Sequence, residues 1–319
     1  MTDVVALGEL LIDFTPQGLS DKGNYLFEAN PGGAPCNVLA ALSKLGKTTA
    51  FIGKVGNDTF GNFLKKTIDD LKIDSKGLRL TDEFFTTLAF VTLDSEGNRS
   101  FAFARNNSAD VMLDKSEVDE DTIKEAKIFH CGTLSLTHPK SRAATIKALE
   151  CAKKNNTIIS VDPNLRMPLW KTEGDARAAV ELVLGYADII KISDYEIEFL
   201  CGDVSVEEGA KRLYEKYSPK IMFATCGKDG AYILRGDTVI KHPCYDKVKT
   251  VDTTGAGDCF CGASLKKLLD ENLDFDGLDE NKCFDLIRYA SAAASLATTK
   301  FGAISVMPSE DEIQALIKA

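Results

Sequence analysis

The chain is poor in the residues that hold a metal or staple a secreted fold. Only three of its 319 residues are histidine (His130, His138 and His242), and their spacing makes no metal-ligand pair. The nine cysteines are an odd number, scattered, with no C-x-x-C. Cys259 and Cys261 stand too close together for a zinc knuckle, so the thiols read as small buried apolar groups of a reducing compartment. Basic charge is also short: 38 Lys plus Arg stand against 48 Asp plus Glu, a formal net charge of −10. That balance argues against nucleic acid or an acidic membrane as the main partner. It still allows an anionic substrate, because a local cluster of Arg, Lys, N–H groups and Mg²⁺ overrides the mean field. No apolar run approaches the length of a membrane span. The start, MTDVVALGELL, has no basic region before its apolar run and does not read as a signal peptide. The expected compartment is the cytoplasm. Two phosphate-binding fingerprints are missing as well. No G-x-G-x-x-G follows the first strand. The run from Gly56 to Gly61 has the Walker A glycine spacing, but Asn62-Phe63 follows where Lys and Ser/Thr are required.

What is present begins with an ordinary globular composition, 44% hydrophobic and 27% charged. The length allows one sizeable domain, alone or with a small appendage. The most informative stretch is KTVDTTGAGDCFCGASLKKLL, Lys249 to Leu269. Its pattern predicts a strand at Thr250-Val251, a glycine turn, and a helix carrying Phe260, Ala263, Leu265, Leu268 and Leu269. A turn that opens a helix presents unpaired N–H groups and a positive dipole end, which together favour an anion. Gly255 and Gly257 let phosphate oxygens approach the backbone. Asp258 then lies in the first turn, beside any such anion. An acid placed there suits the acceptance of a proton from a hydroxyl that attacks the phosphate. The competing reading is a packed turn with Thr254 as helix cap.

Upstream, Val4 to Ile12 reads as one buried strand, interrupted by Gly8 and Glu9 and ending at Asp13, where α/β proteins place ligands. Asn30 to Asn37 opens a helix with the apolar face Val38, Ala41, Leu42 and Leu45, stopped by Gly46. Asn37 offers both a donor and an acceptor, which suits a polyol. Thr49 to Val55 reads as a strand and Phe60 to Leu71 as an amphipathic helix. Thr87–Leu93, the turn 94–98 and Arg99–Arg105 read as a β-hairpin inserted among βα units. With residues near Phe14 to Asn30 it makes a small separate sheet. From Ile128 onward strands and helices alternate, which implies a parallel sheet between helix layers. Strand ends there carry polar clusters: Asp162-Pro163-Asn164-Leu165-Arg166, then Lys191-Ile192-Ser193-Asp194-Tyr195-Glu196, then Thr225-Cys226-Gly227-Lys228-Asp229-Gly230. Arg166 is a fork that grips a phosphate or carboxylate, and Lys191 can neutralise phosphate charge.

DTTGAGD before an apolar helix resembles the C-terminal signature of the ribokinase-like, PfkB-type carbohydrate kinases. Gly32, Gly33 and Asn37 match the family's N-terminal G-G-x-x-x-N, and Arg105-Asn106 with Ser108-Ala109-Asp110 and the DPNLR run are similar to the fructokinase branch. The resemblance covers nearly the whole chain. It implies a three-layer α/β/α sandwich with a mostly parallel sheet (1–12, 35–84 and 109–319) and a β-sheet lid (13–34 and 85–108) over a sugar. Such a lid excludes water that would otherwise attack ATP. By the resemblance, Asp258 is the catalytic base, and the N–H groups of Gly255, Ala256 and Gly257 form an anion hole. Asp13, Gly32, Gly33 and Asn37 bind sugar hydroxyls, Arg105 reaches the sugar from the lid, and Arg166 contacts substrate. Lys191, Ser193, Thr225, Gly227, Gly230, Thr254, Gly255 and Gly257 hold ATP. Glu196 matches the glutamate that orients Mg²⁺-bound water, whereas Ser193 replaces the family's asparagine. Asp252 and Thr254, with Ser305 in the loop from Gly302, hold a monovalent cation such as K⁺. The implied activity is ATP-dependent phosphorylation of fructose to fructose 6-phosphate. The alternatives are a 2-keto-3-deoxygluconate kinase, with Arg105 and Arg166 on a carboxylate, or a catalytically silent sugar-binding regulator. Lids of this family sometimes pair between subunits, so a homodimer through the lid is preferred to a monomer as the expected assembly.

Overall fold

Val4, Val5, Ala6 and Leu7 are fully buried. A strand covered on both faces needs such a run, and it marks a parallel sheet between two helix layers. The structure, a computed structural model, describes residues 1–93 and 99–319. Its strands are β1 (Thr2–Leu7), β2 (Leu11–Leu19), β3 (Tyr25–Gly32), β4 (Thr49–Gly56), β5 (Ile73–Thr81), β6 (Leu88–Leu93), β7 (Arg99–Ala104), β8 (Ala126–Cys131), β9 (Ile158–Val161), β10 (Ile189–Ser193), β11 (Ile221–Thr225), β12 (Ala231–Arg235) and β13 (Thr238–His242). Nine of them form one sheet in the order β13-β12-β11-β10-β9-β8-β1-β4-β5. The strands from β11 to β5 are parallel, and β12 and β13 close the far edge antiparallel.

The pleat sorts side chains into two cores. Val4 and Ala6 join one apolar cluster with Ile189, Ile221 and Phe223. Val5 and Leu7 join the other with Ile190, Ile192, Met222 and Ala224. Alternation along β1, β10 and β11 therefore fills a helix layer on each face, the expected three-layer sandwich. The helix Ala256–Asp270 lies in the first layer with the helix Ala34–Lys44 beside it, and both are buried along most of their length. The two glycine-bearing signatures are thus neighbours, although more than 200 residues separate them in sequence.

The second sheet has the order β3-β2-β6-β7. Its interior is aromatic: Phe14 stacks on Phe90 with centroids 5.0 Å apart and meets Phe27 and Phe60 edge-on. Phe60 belongs to the helix Thr59–Asp70, so this cluster also seats the small sheet on the main one. The hairpin strands β6 and β7 pair as expected; the turn expected at 94–98 lies outside the described residues.

Two sequence expectations need correction. Val4 to Ile12 is not one strand. β1 stops at Leu7, the chain turns through Gly8-Glu9-Leu10, and β2 resumes at Leu11 in the other sheet, where Ile12 pairs with Leu88 and Asp13 with Ala89. Asp13 therefore lies within a lid strand rather than at the end of a core strand. Thr250-Val251 is not a strand either. The Val251 and Asp252 N–H groups both donate to the Thr298 carbonyl at the end of the helix Glu280–Ala297, which satisfies the backbone without a sheet partner. In addition, β5 is an edge strand that the sequence reading left unassigned.

The root of the small sheet is held by a buried ion pair. Arg105 donates through Nε (2.8 Å) and Nη2 (2.7 Å) to Asp110, and that carboxylate also accepts from Thr87 and Ser108. Arg105 reaches across to the main domain through Thr137 Oγ1 (2.7 Å) and the Leu134 carbonyl (3.0 Å). Removing one partner of such a pair strands a buried charge. Asp110→Ala is expected to lower the unfolding free energy by about 3–5 kcal/mol, read by urea denaturation. A loss below about 1 kcal/mol, the range of exposed pairs, refutes the anchoring role.

Candidate active site

The helix Ala256–Asp270 starts on Gly255, which has φ +75° and would bring a Cβ to 2.8 Å from the Ala303 Cβ. Only glycine takes that conformation in that space without strain. The preceding loop is shaped by Asp252, almost fully buried. Its carboxylate accepts from Thr254 N (2.7 Å) and Gly302 N (3.2 Å), tying the turn to the loop that carries Ser305. The Ala256 N–H donates to the Thr253 carbonyl at 3.2 Å. The Ala256 N–H, one of the three amides that the resemblance assigns to an anion hole, is thus engaged within the turn. The N-cap position of the helix is Gly255 rather than Thr254.

Asp258 follows in the first turn and is buried. Its Oδ2 accepts from Asn37 Nδ2 at 2.7 Å and its Oδ1 from Asn164 Nδ2 at 3.2 Å. Burial pushes its carboxyl up to about 6, and the nearby Asp162 charge adds to the rise against the pull of Asn37, Lys191 and Arg166. A helix N-terminus acts the other way, favouring the charged carboxylate and lowering the value. Magnitudes decide: a helix end contributes about 0.3–1 kcal/mol, less than the roughly 1.4 kcal/mol of one pKa unit, so desolvation prevails.

Asn37 is positioned by the glycine turn before its helix. Gly33 has φ +119°, and a Cβ there would collide with the Glu9 carbonyl. The Glu9 carboxylate accepts from Ala34 N at 2.9 Å, at the point where β3 hands the chain back to the core. Burial pushes Glu9 up to about 7. Asn37 Oδ1 is buried and has no hydrogen-bond partner among the described residues. An orphaned acceptor beside a carboxylate suits a hydroxyl donor.

A second charged group lies behind the turn. Lys191 on β10 pairs with Asp162, just past β9, at 2.9 Å, and both are buried. Burial alone would lower the Lys191 pKa; the charges of Asp162, Glu196 and Asp258 override it and hold the ammonium above its ordinary value. A Cβ on Gly257 would lie 3.1 Å from Lys191 Nζ, which places this cation directly under the helix start. Glu196 forms a capping box with Ser193: its Oε2 accepts from Ser193 N and Oγ, and its Oε1 from Leu165 N, each at 2.8 Å.

These groups surround one cavity of about 310 Å³. Of the residues picked from sequence, Asp13, Gly33, Asn37, Arg166, Lys191, Ser193, Glu196, Thr254, Gly255, Gly257 and Asp258 line it. Gly32 adjoins the Asp13 carboxylate. Burial pushes Asp13 up to about 7, with Asp258 and Asp252 adding to the rise and Arg166 opposing it. Thr225 sits beside Ser193 at the end of β11, and Gly227 and Gly230 follow in the turn to β12. These three stand one strand away from the cavity lining. Ser305 is exposed, near Gly302. Arg105 is the clear departure. It is not among the lining residues, and its guanidinium is spent on Asp110, Thr137 and Leu134. Sequence reasoning gave no site role to Glu9, Asn164, Leu134, Thr253 or Phe103, all of which line the cavity. For Asn164 a signal was available in the strand-end cluster DPNLR; for Glu9 it was the Gly-Glu break itself.

The comparisons agree with the fold. The chain matches the pfkB family carbohydrate kinases over residues 1–310. Fructokinase-1 of Zea mays is 40% identical over 317 residues, covering 99% of this chain and 97% of that protein. The solved structure of a fructokinase with bound ATP from Xylella fastidiosa superposes with a TM-score of 0.90 at 28% identity, over 100% of this chain and 99% of that one. A double mutant of a fructokinase from Vibrio cholerae O395, solved with fructose, ADP and a potassium ion, gives 0.88 at 32% identity, over 99% and 98%. The family match and the full-length relatives together define the class, a carbohydrate kinase. The chain belongs to the pfkB family of carbohydrate kinases.

Only the ionised form of the Asp258 carboxyl can accept a proton. Its pKa is raised to about 6, so kcat/KM is expected to rise with pH through about 6 and level off above it. A pH–rate profile with its acid limb near the ordinary Asp value of about 4 contradicts this.

Proposed function

We propose that the protein is an ATP-dependent fructokinase that converts D-fructose to fructose 6-phosphate. The observation that carries the reading is the Asp258 carboxylate, buried, gripped by Asn37 and Asn164, and set at a helix start with the Lys191 ammonium beneath it. The fructose and ATP of the fructokinase neighbours support the choice of substrates. So does the placement of Arg105. With its guanidinium committed to Asp110, one arginine rather than two faces the cavity, which favours an uncharged sugar over a 2-keto-3-deoxy acid.

In this reading the sugar hydroxyl lies between Asp258 and the acceptor Asn37 Oδ1. Its oxygen attacks the γ-phosphorus. The new O–P bond forms as the bond to the β–γ bridging oxygen breaks, and that oxygen leaves on ADP with the electron pair. The hydroxyl proton passes to Asp258. Such a transition state is loose, so positioning and charge neutralisation dominate. Lys191 and the helix start supply fixed positive potential where the phosphoryl group passes. Phe103 and Leu11 bring the lid over the cavity and exclude water.

Glu196 fits the metal role expected of it only through water, because both of its oxygens already accept N–H groups. Among the described residues no cluster of three or more His, Cys, Asp or Glu side chains suits a metal. That fits an ion delivered with the nucleotide phosphates. When bound, Mg²⁺ supplies charge neutralisation on the phosphate oxygens. A monovalent cation at Asp252, Thr254 and Ser305 belongs to the same reading, supported by the buried Asp252 carboxylate and by the potassium of the Vibrio cholerae protein. The nine free thiols support a cytoplasmic location, and no helix among the described residues is long and apolar enough to cross a membrane. The small sheet leaves Leu19, Tyr25 and Leu26 exposed, and exposed apolar side chains there support a homodimer through the lid.

Coupled ADP release should show strong turnover on fructose and little on 2-keto-3-deoxygluconate; the reverse pattern overturns the assignment. Asp258→Asn should lower kcat by about 10²–10⁴ with the fructose KM little changed, and near-native turnover in that variant removes Asp258 from the reaction. Replacing sodium by potassium at constant ionic strength should raise the rate; identical rates discard the monovalent cation.

A further inference from the structure

Asp162 is buried immediately past β9, and neither its chemistry nor its partners make it a ligand of sugar or nucleotide. It does not line the cavity. Its two oxygens point along separate arms of the site. Oδ2 holds Lys191 Nζ at 2.9 Å, and that ammonium lies under Gly257 at the helix start. Oδ1 accepts from Asn164 N at 3.2 Å, and Asn164, at φ +48°, turns its side chain to donate to Asp258 Oδ1 at 3.2 Å. The Asp162 backbone is itself pinned, its N–H donating to the Cys131 carbonyl of β8 at 3.2 Å. One carboxylate anchored in the rigid sheet therefore joins the group that receives the proton to the cation that faces the phosphoryl group.

We propose that Asp162 is a positioning residue of the phosphoryl transfer, setting the placement of Asn164 against the base and of Lys191 against the migrating phosphoryl group. The inference deepens the kinase reading and rests on it. Buried pairs on rigid strands hold such geometry better than loops do. Removing either arm alone is then felt through the other, because the two share one carboxylate. Asp258 faces charge from several elements: Asp162 and Arg166 after β9, Lys191 on β10 and Asp13 on β2, with the buried thiols Cys259 and Cys261 on its own helix. Asp162 pushes the Asp258 pKa up and Lys191 pulls it down. Deleting the two should therefore move its ionisation in opposite directions, and a fall in kcat with the fructose KM little changed is what a merely structural role does not predict.

The experiment compares the whole protein with Asp162→Asn, Lys191→Met and the double variant, using ATP, Mg²⁺ and fructose. Asp162→Asn should lower kcat about ten-fold or more, as loss of a supporting group does, with the fructose KM moving less than about three-fold, since uniform binding is untouched. Its acid limb in kcat/KM should move to lower pH. Lys191→Met should raise the KM for ATP and move the limb to higher pH. In the double variant the losses should fall short of their product. Carboxylate ¹³C NMR titration of Asp258 in the unliganded proteins reads the same opposed shifts without any substrate. If Asp162→Asn fails to fold with Lys191 left as a lone buried cation, the double variant removes both charges; its titration should lie below that of Lys191→Met alone. Native kcat and an unmoved limb in Asp162→Asn, shifts of the same sign in both single variants, or fully multiplicative losses overturn the proposal. A native protein silent on fructose overturns the substrate assignment instead, and the titration still decides the role of Asp162.

Discussion

A carboxylate kept out of water governs this structure. Asp258 lies at the start of a helix, where a solvated acid would be favoured and weak as a base. The fold instead buries it and gives it two carboxamide donors, Asn37 and Asn164, from different parts of the chain. Each donor brings its own requirement. Asn37 needs the glycine turn at Gly33, and Asn164 needs the left-handed backbone that Asp162 stabilises. The neighbouring helices, the strand ends of β9 and β10 and the lid strand β2 all converge on the same few ångströms for that reason.

Such an arrangement works against the stability of the unliganded fold. Glu9, Asp13 and Asp258 all have carboxyls raised by burial, to about 7, about 7 and about 6. A carboxyl raised in the folded state binds its proton more tightly there than in the unfolded chain. Its contribution is therefore full below the unfolded value near 4 and is lost as pH rises toward 6–7. Above that range the fold carries three buried carboxylates that Arg105, Arg166 and Lys191 compensate only in part. A site tuned for proton acceptance tolerates this because the sheet behind it is covered by two complete apolar cores.

The small sheet is joined to the main one at two places, and each is closed by a buried acid. Glu9 holds the Ala34 N–H where β1 leads into β2 and β3 returns to the core. Asp110 gathers Arg105, Thr87 and Ser108 where the β6–β7 hairpin leaves and re-enters. Arg105 sits electrostatically between the two, facing Asp110 directly and lowering the Glu9 carboxyl from a distance. The residue that resemblance assigned to the sugar thus ties the small sheet to the main domain.

By itself the sequence determined the layer order and picked out most of the residues that gather around the cavity. Period-two and helical patterns depend on local geometry, and DTTGAGD, G-G-x-x-x-N and DPNLR each carry their own turn. Those signals are contiguous and therefore legible. Tertiary structure alone decided where Val4 to Ile12 breaks between two sheets, since both halves are equally apolar. It alone set the direction of the Asp258 pKa shift, because desolvation depends on what packs around a group and not on its place in a helix. It also turned Arg105 away from the cavity and set Asp162 between Asn164 and Lys191. A side chain's partner is chosen by which strand ends meet in space, and no spacing along the chain records that.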